Sequence, residues 1–166
     1  MSTILSRRSI RKYTGAAVSD EMVTELLKAA MSAPSAGNQQ PWQFVVVRSQ
    51  ATLDLFPTVH PYAAMTPSAS VVIAVCGDLN GLKYEGYWVQ DCAAATENIL
   101  LAAHELGLGA VWLGVYPTED RVESIRRLLA LPQHVIPLAL VPVGYPAEAL
   151  PAADRFDASR VHADRW

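Results

Sequence analysis

Cysteine is scarce in this chain: Cys76 and Cys92 are the only two, and they form no Cys-x-x-Cys pair. Structural zinc and redox-disulfide chemistry are left without their usual spacing, and two buried free thiols are expected. The four histidines, His60, His104, His134 and His162, are scattered without ligand spacing, so no metal is expected. Charge is also thin, at 17% of residues with a formal net charge of −3. A net-acidic chain is a poor match for nucleic acid or an anionic membrane, and neither partner is expected. No uninterrupted apolar run reaches the roughly 18 residues of a membrane span. Cations interrupt the N-terminus before a signal-peptide core develops, so a cytoplasmic location is expected. The Gly-Leu-Gly at Gly107 to Gly109 lacks the rest of a dinucleotide fingerprint. No Ser/His/Asp or Cys/His arrangement for nucleophilic catalysis is evident. Repeats and linkers are missing, and 166 residues suit one domain, 1–166.

Hydrophobic residues, by contrast, make up 51% of the chain. That is rich for a small monomer and points to apolar surface shared between subunits. Arg7-Arg8-Ser9-Ile10-Arg11-Lys12 concentrates four cations and a hydroxyl near the start. Guanidinium forks beside a serine suit a phosphate ester; the alternative is a solvated helix face. Pro34-Ser35-Ala36-Gly37-Asn38-Gln39-Gln40-Pro41-Trp42 reads as a turn between a helix and a strand. Its glycine and prolines expose backbone donors and acceptors, and Asn38 offers one of each.

Ser19 is a candidate N-cap, followed by Asp20 and Glu21 where the helix dipole favours them. Met22, Leu26, Ala29 and Ala30 then recur at helical spacing until Pro34. Trp42 to Val47 reads as a strand, and Gln50 to Phe56 as a short helix. Ser70 to Cys76 has the β-branched run of a central strand. Val89 to Leu106 gives a long helix ended by Gly107. Its alanines permit close approach of another backbone, and the helix dipole accounts for Asp91. Gly109 to Leu113 reads as a short strand. Thr118 caps a helix running to about Leu131. Ile136 to Val143 is a strand that Pro137 and Pro142 assign to a sheet edge or to bulged ends. Trp42 reads as core; Trp112 as core or as a wall beside a bound ring. Tyr84, Tyr87 and Trp88 form either a roof over a flat ligand or a hydrophobic entry to the long helix. Alternating helices and strands imply an α/β (α+β) sandwich, with helices on both faces of a mixed sheet.

Three segments, taken in order, resemble the nitroreductase family of FMN-dependent oxidoreductases. RRSIRKY is similar to the family's Arg-x-Ser-x-Arg/Lys opening. APSAGNQQPWQFVVV is similar to its Pro-Ser-x-x-Asn-x-Gln-Pro-Trp motif and the strand beyond. AATENILLAAHELGLGAVWLG looks like its central helix and following strand. The likeness runs nearly end to end and is weakest over residues 49–68. It implies a nitroreductase-like three-layer sandwich and an obligate homodimer with FMN at the interface. The C-terminal tail, carrying Phe156 and Trp166, would reach the partner subunit.

The same resemblance assigns residue roles. Arg7, Ser9 and Arg160 would hold the phosphate and ribityl end, with Arg8 in support. Where the family often has another cation two residues before Arg160, this chain has Ala158. Arg11 would approach the pyrimidine edge of the flavin, where a cation favours the reduced form. Pro34, Ser35, Ala36, Asn38 and Gln40 would line the ring. Leu113 and Gly114 would present a backbone N–H to flavin N5, although many relatives have an acidic residue and then glycine here. The implied activity is hydride transfer from NADH or NADPH, by ping-pong, to a nitroaromatic, a quinone or another flat aromatic acceptor. Flavin-directed or dehalogenating chemistry, or FMN binding without turnover, are the alternatives.

Overall fold

A computed structural model describes residues 2–166. Its centre is β2 (Val71–Asp78), in which every residue before Asp78 is buried. Pleating sends alternate side chains to opposite faces. Val71, Ile73 and Val75 enter one apolar cluster, and Val72, Ala74 and Cys76 enter another. The continuous apolar run in the sequence therefore serves two cores, one on each side of a single sheet.

Two helices cover the first face. In α2 (Asp20–Met31), the Ser19 side chain accepts the Met22 N–H, and Val23, Leu26 and Ala30 are buried. In α5 (Trp88–Glu105), Cys92, Ala95, Ile99 and Ala103 are buried at helical spacing. Small residues let the two helices approach closely. The Asn98 amide donates to the Ala29 carbonyl at 2.9 Å and satisfies an acceptor near the end of α2. Fully buried side chains such as Leu26 and Ile99 contribute about 1.5–3 kcal/mol each from apolar burial.

On the second face lie α3 (Gln50–Leu53), α4 (Phe56–Val59) and α6 (Glu119–Leu128). The single short helix expected over Gln50 to Phe56 is thus two, and α6 stops three residues short of Leu131. Leu53, Phe56, Val122 and Ile125 fill this side. An exposed first helix, α1 (Ser2–Ser6), is tied to the end of α5 by Ser6 Oγ and His104 Nε2, 2.7 Å apart. Among the described residues no helix is long and apolar enough to cross a membrane.

The remaining strands are β1 (Trp42–Val47), β3 (Gly109–Ala110), β4 (Leu113–Gly114) and β5 (Val135–Gly144). The sheet runs β1-β2-β5-β3, with β4 also on β5, and every strand pair is antiparallel. The mixed sheet expected from the sequence is reduced to one isolated parallel bridge, Ser9 to Ala110. The crossover through α5 does make β2 and β3 parallel, but β5 is inserted between them.

Pro137 and Pro142 do not put β5 at an edge: the strand is interior. The prolines leave local defects instead. Pairing with β2 skips Leu138, between Val75–Ala139 and Cys76–Pro137. This is a β-bulge, and the Leu138 carbonyl accepts N–H groups from Val115 at 2.9 Å and Tyr116 at 3.1 Å. On the other side, Ala110 pairs with Val143 and Leu113 with Leu140, so position 111 faces Pro142. Pro142 has no N–H to give the Val111 carbonyl. The expected strand Gly109 to Leu113 is accordingly broken into β3 and β4.

Candidate functional site

The N-terminal basic segment is fixed to β3. Ile10 N–H donates to the Ala110 carbonyl at 3.0 Å. Gly109 makes this approach possible, because a Cβ there would collide with the Ile10 side chain. Glu148 accepts the backbone N–H groups of Arg11 at 2.6 Å and Lys12 at 3.2 Å. Pairing of residues 12–14 with 145–147 continues through Thr14 N–H to Tyr145 and Ala147 N–H to Lys12. Backbone contacts therefore leave the cationic side chains free to differ in direction.

They do differ. Arg7 is largely covered and sits 3.5 Å from Glu97 of α5. Arg8 turns to its own chain, donating to the carbonyls of Pro151 at 2.8 Å and Leu5 at 3.0 Å. Its Nη2 is buried without a partner among the described residues. Arg11 and Lys12 are exposed. With Ser9 they line an open cavity of about 670 Å³, bounded also by Met65 and Leu150.

The turn after α2 is built with unusual backbone. Gly37, Asn38 and Gln40 have φ of 55°, 56° and 49°, a left-handed conformation that costs non-glycine residues about 1–2 kcal/mol each. Ser35 Oγ accepts the Gln40 N–H at 3.0 Å. The Gln40 amide donates to Asn38 Oδ1 at 3.1 Å. Asp91, 5% exposed in the first turn of α5, accepts the Ala36 N–H and the Gln39 side-chain amide, both at 3.0 Å. Gln39 also pairs with both backbone groups of Tyr84, at 3.1 Å each. Asp91 thus has specific partners in addition to the helix dipole. Gln39 is the residue that the motif reading left without a role. Pro34, Asn38 and Gln40 remain exposed, and Ser35 and Ala36 half-buried.

The aromatic trio divides. Trp88 is buried against Gly77 and meets Tyr116 edge-on at 4.9 Å, so it is core. Tyr84 and Tyr87 are exposed and T-stacked at 6.5 Å, with the Tyr84 ring against Gly37. Trp42 is buried; Trp112 is half-buried against the α2–α5 core.

Gly114 ends β4 with its backbone turned outward. Val115 donates to Leu138 in the register that pairs Gly114 with Ala139. Alternation along an antiparallel strand then points the N–H and C=O of Gly114 away from β5. A Cβ at Gly114 would meet open space. The carbonyl receives Arg121 Nη1–H at 3.2 Å and lies 2.9 Å from His60 Nε2. His60 is 1% exposed, and its Nδ1 accepts the Tyr62 N–H at 3.3 Å. These two bonds fit one neutral tautomer, with the proton on Nε2. Burial pulls the His60 pKa below its ordinary value, and the Arg121 charge acts in the same direction. Nothing in the local sequence pointed to His60, which is 54 residues from Gly114.

The two thiols are buried, and burial pushes both up to about 12, leaving them unreactive near neutrality. Arg160 lies on the exposed tail, 83% accessible and paired with Asp157 at 3.1 Å. Within one chain, then, the N-terminal segment gathers on β3 and the Pro34 turn on α5. No hydrogen bond or ion pair among the described residues joins Arg160 to either.

The nitroreductase family's sequence profile matches residues 4–70 and 59–145. A protein of Methanothermobacter thermautotrophicus, provisionally named NADH dehydrogenase/NAD(P)H nitroreductase, is 54% identical over 166 residues, covering 100% of this chain and 87% of its own. Among solved structures, a provisionally named NADH oxidase from Clostridium acetobutylicum superposes with a TM-score of 0.95 at 43% identity, covering 99% of each chain. A provisionally named nitroreductase from Desulfovibrio desulfuricans, solved in complex with FMN, gives a TM-score of 0.86 at 36% identity, covering 99% of this chain and 96% of that one.

Proposed function

Because the chain belongs to the nitroreductase family of oxidoreductases, we propose that it binds FMN and moves hydride from NADH or NADPH to nitroaromatic or quinone-type acceptors by ping-pong. The observation that carries this reading is Gly114: a backbone N–H turned away from β5 at a strand end, on a residue with open space where a side chain would otherwise stand. Bound FMN would supply the hydride-accepting chemistry. The chain's own residues bind and orient it.

Several features fit a planar ring carrying a phosphate. Gly114 offers a donor for N5 and room beside it, with Leu113 holding the preceding peptide in the sheet. Arg11, exposed at the rim of an open cavity, supplies a cation for the pyrimidine edge. Ser9 adds a hydroxyl, Arg7 a guanidinium that among the described residues pairs with Glu97 alone, and Arg8 a buried N–H with no acceptor among them. The left-handed turn would present Pro34, Ser35, Ala36, Asn38 and Gln40 to the ring, clamped from behind by Asp91. Arg160 joins the phosphate only if a tail crosses to another copy, so the working unit is a homodimer of single 1–166 domains. The tail's exposed Phe156, Val161 and Trp166 support that pairing.

Anaerobic mixing with NADH or NADPH tests the reading. The flavin's visible absorbance bleaches, and a nitroarene or quinone restores it. A protein that retains FMN without bleaching is a flavin carrier instead. One that consumes FMN as its substrate performs flavin-directed chemistry.

A further inference from the structure

We propose that His60 is a positioning residue for the Gly114 backbone, holding the glycine in the conformation that aims its N–H at the flavin. The assignment rests on the function proposed above.

Glycine is the residue least able to hold its own conformation. Aiming the N–H of Gly114 therefore requires both flanking peptide planes to be fixed from outside. The plane before it is held by the pairing of Leu113 with Leu140. The plane after it carries the Gly114 carbonyl and the Val115 N–H. The N–H is held by Leu138 at 2.9 Å, and the carbonyl lies 2.9 Å from His60 Nε2. Arg121 Nη1 gives the same carbonyl a second donor at 3.2 Å.

His60 is built to stay in place. Its own N–H donates to the Phe56 carbonyl at 2.9 Å, closing α4. Its ring is sealed from solvent and meets Tyr62 edge-on at 6.1 Å. Tyr62 N–H occupies Nδ1, which leaves Nε2–H as the one donor and Gly114 as its acceptor. Arg121 in turn lies under the Tyr62 ring at 5.4 Å. The segment after α4 thus contributes a rigid donor to a strand end that lacks a side chain.

The test compares His60→Leu, of similar bulk but with no donor, with His60→Gln, whose amide can still donate. Arg121→Leu removes the second donor, from a half-buried position, as a comparison; if His60→Leu does not fold, the wild-type imidazole nitrogen NMR shifts, which place the ring proton on Nε2 or Nδ1, take its place. The first readout needs no flavin. The Val115 amide nitrogen shares a peptide plane with the Gly114 carbonyl, so its NMR resonance moves upfield when that carbonyl loses a donor. In His60→Leu the shift is expected, with only small changes along β5; in wild type a ring proton on Nδ1 rather than Nε2 overturns the role. With FMN bound, NADH bleaching slows about tenfold, less than the ~100- to 1,000-fold lost when a donor at the reacting centre is itself removed, because the Gly114 N–H is kept and only its aim is loosened. FMN affinity changes less than threefold. His60→Gln restores both the resonance and the rate. An unmoved Val115 resonance together with an unchanged bleaching rate overturns the positioning role alone. A wild-type chain that binds no FMN overturns the proposed function as well, and the two failures are told apart at the first titration.

Discussion

The Asp91 carboxylate accepts the side-chain amide of Gln39 at 3.0 Å and, with its other oxygen, the Ala36 N–H at the same distance. One buried acid in the first turn of α5 thereby secures a turn 55 residues earlier. Asp91→Ala leaves the Ala36 N–H without its acceptor, and Gln39 with the Tyr84 carbonyl as the one acceptor for its two amide hydrogens. Removing such a partner costs about 1–3 kcal/mol. Urea unfolding should show that loss, and FMN titration a severalfold weaker complex. A variant with wild-type stability would reduce the pair to a solvated contact.

Gly37 combines a φ of 55° with contact against the Tyr84 ring. Gly37→Ala meets two obstacles, the left-handed backbone and the ring. Destabilisation of about 1–2 kcal/mol is expected from the backbone alone. Adding Tyr84→Ala removes the second obstacle and should recover part of any further loss. Equal melting temperatures for wild type and Gly37→Ala would contradict the packing described.

Arg7 pairs with a Glu97 whose side chain is 47% exposed, at 3.5 Å. Such a pair contributes about 0–1 kcal/mol to folding. Arg7→Ala should therefore leave the unfolding midpoint nearly unchanged while weakening FMN retention tenfold or more, the loss of a charged hydrogen bond to phosphate. Unchanged affinity in equilibrium dialysis would remove Arg7 from the phosphate group.

A stabilising change is available after α6. Leu131 N–H bonds to Arg126 and Ala130 N–H to Arg127, and Ala130 sits at φ 52°. This is the helix ending that favours glycine at the left-handed position. Ala130→Gly should raise stability by about 0.5–1 kcal/mol, read as a higher urea midpoint at constant slope. A lower midpoint would mean that glycine's added freedom in the unfolded chain outweighs the strain relieved.

Acid should find His60. Burial holds its folded pKa below the ordinary 6.5, so as pH falls the unfolded chain takes up the proton first. The stability it contributes is complete above about 6.5 and is lost as pH drops from there through the lowered folded value. Unfolding free energies at pH 7.5 and 5.5 should differ more for wild type than for His60→Gln. Parallel pH profiles would assign the loss to other groups.

Local chemistry made much of this legible. The Ser19 cap, the two-sided burial of β2 and the long helix before Gly107 follow from rules that act within a few residues. Register is where such reading stopped. Whether Pro142 marks an edge or a gap depends on which strand lies opposite, and that choice is made by the packing of α5 and α6 on the two faces. The clamp by Asp91 and the bond from His60 to Gly114 join residues more than 50 apart. Their partners carry no spacing that periodicity could detect. The cationic opening was visible as a cluster, whereas the separate fates of Arg7, Arg8 and Arg11 depend on which carbonyls and carboxylates fold nearby.

With no hydrogen to give at position 142, the seam beside β5 is divided into two lengths with different neighbours. Gly109 and Ala110 answer to the amino-terminal arm, whereas Leu113 and Gly114 answer to His60 and Arg121. The bonds that hold Gly114, from His60, Arg121 and the register with Ala139, thus involve no residue of the arm, whose Tyr13 reaches only as far as the Pro142 carbonyl at the gap.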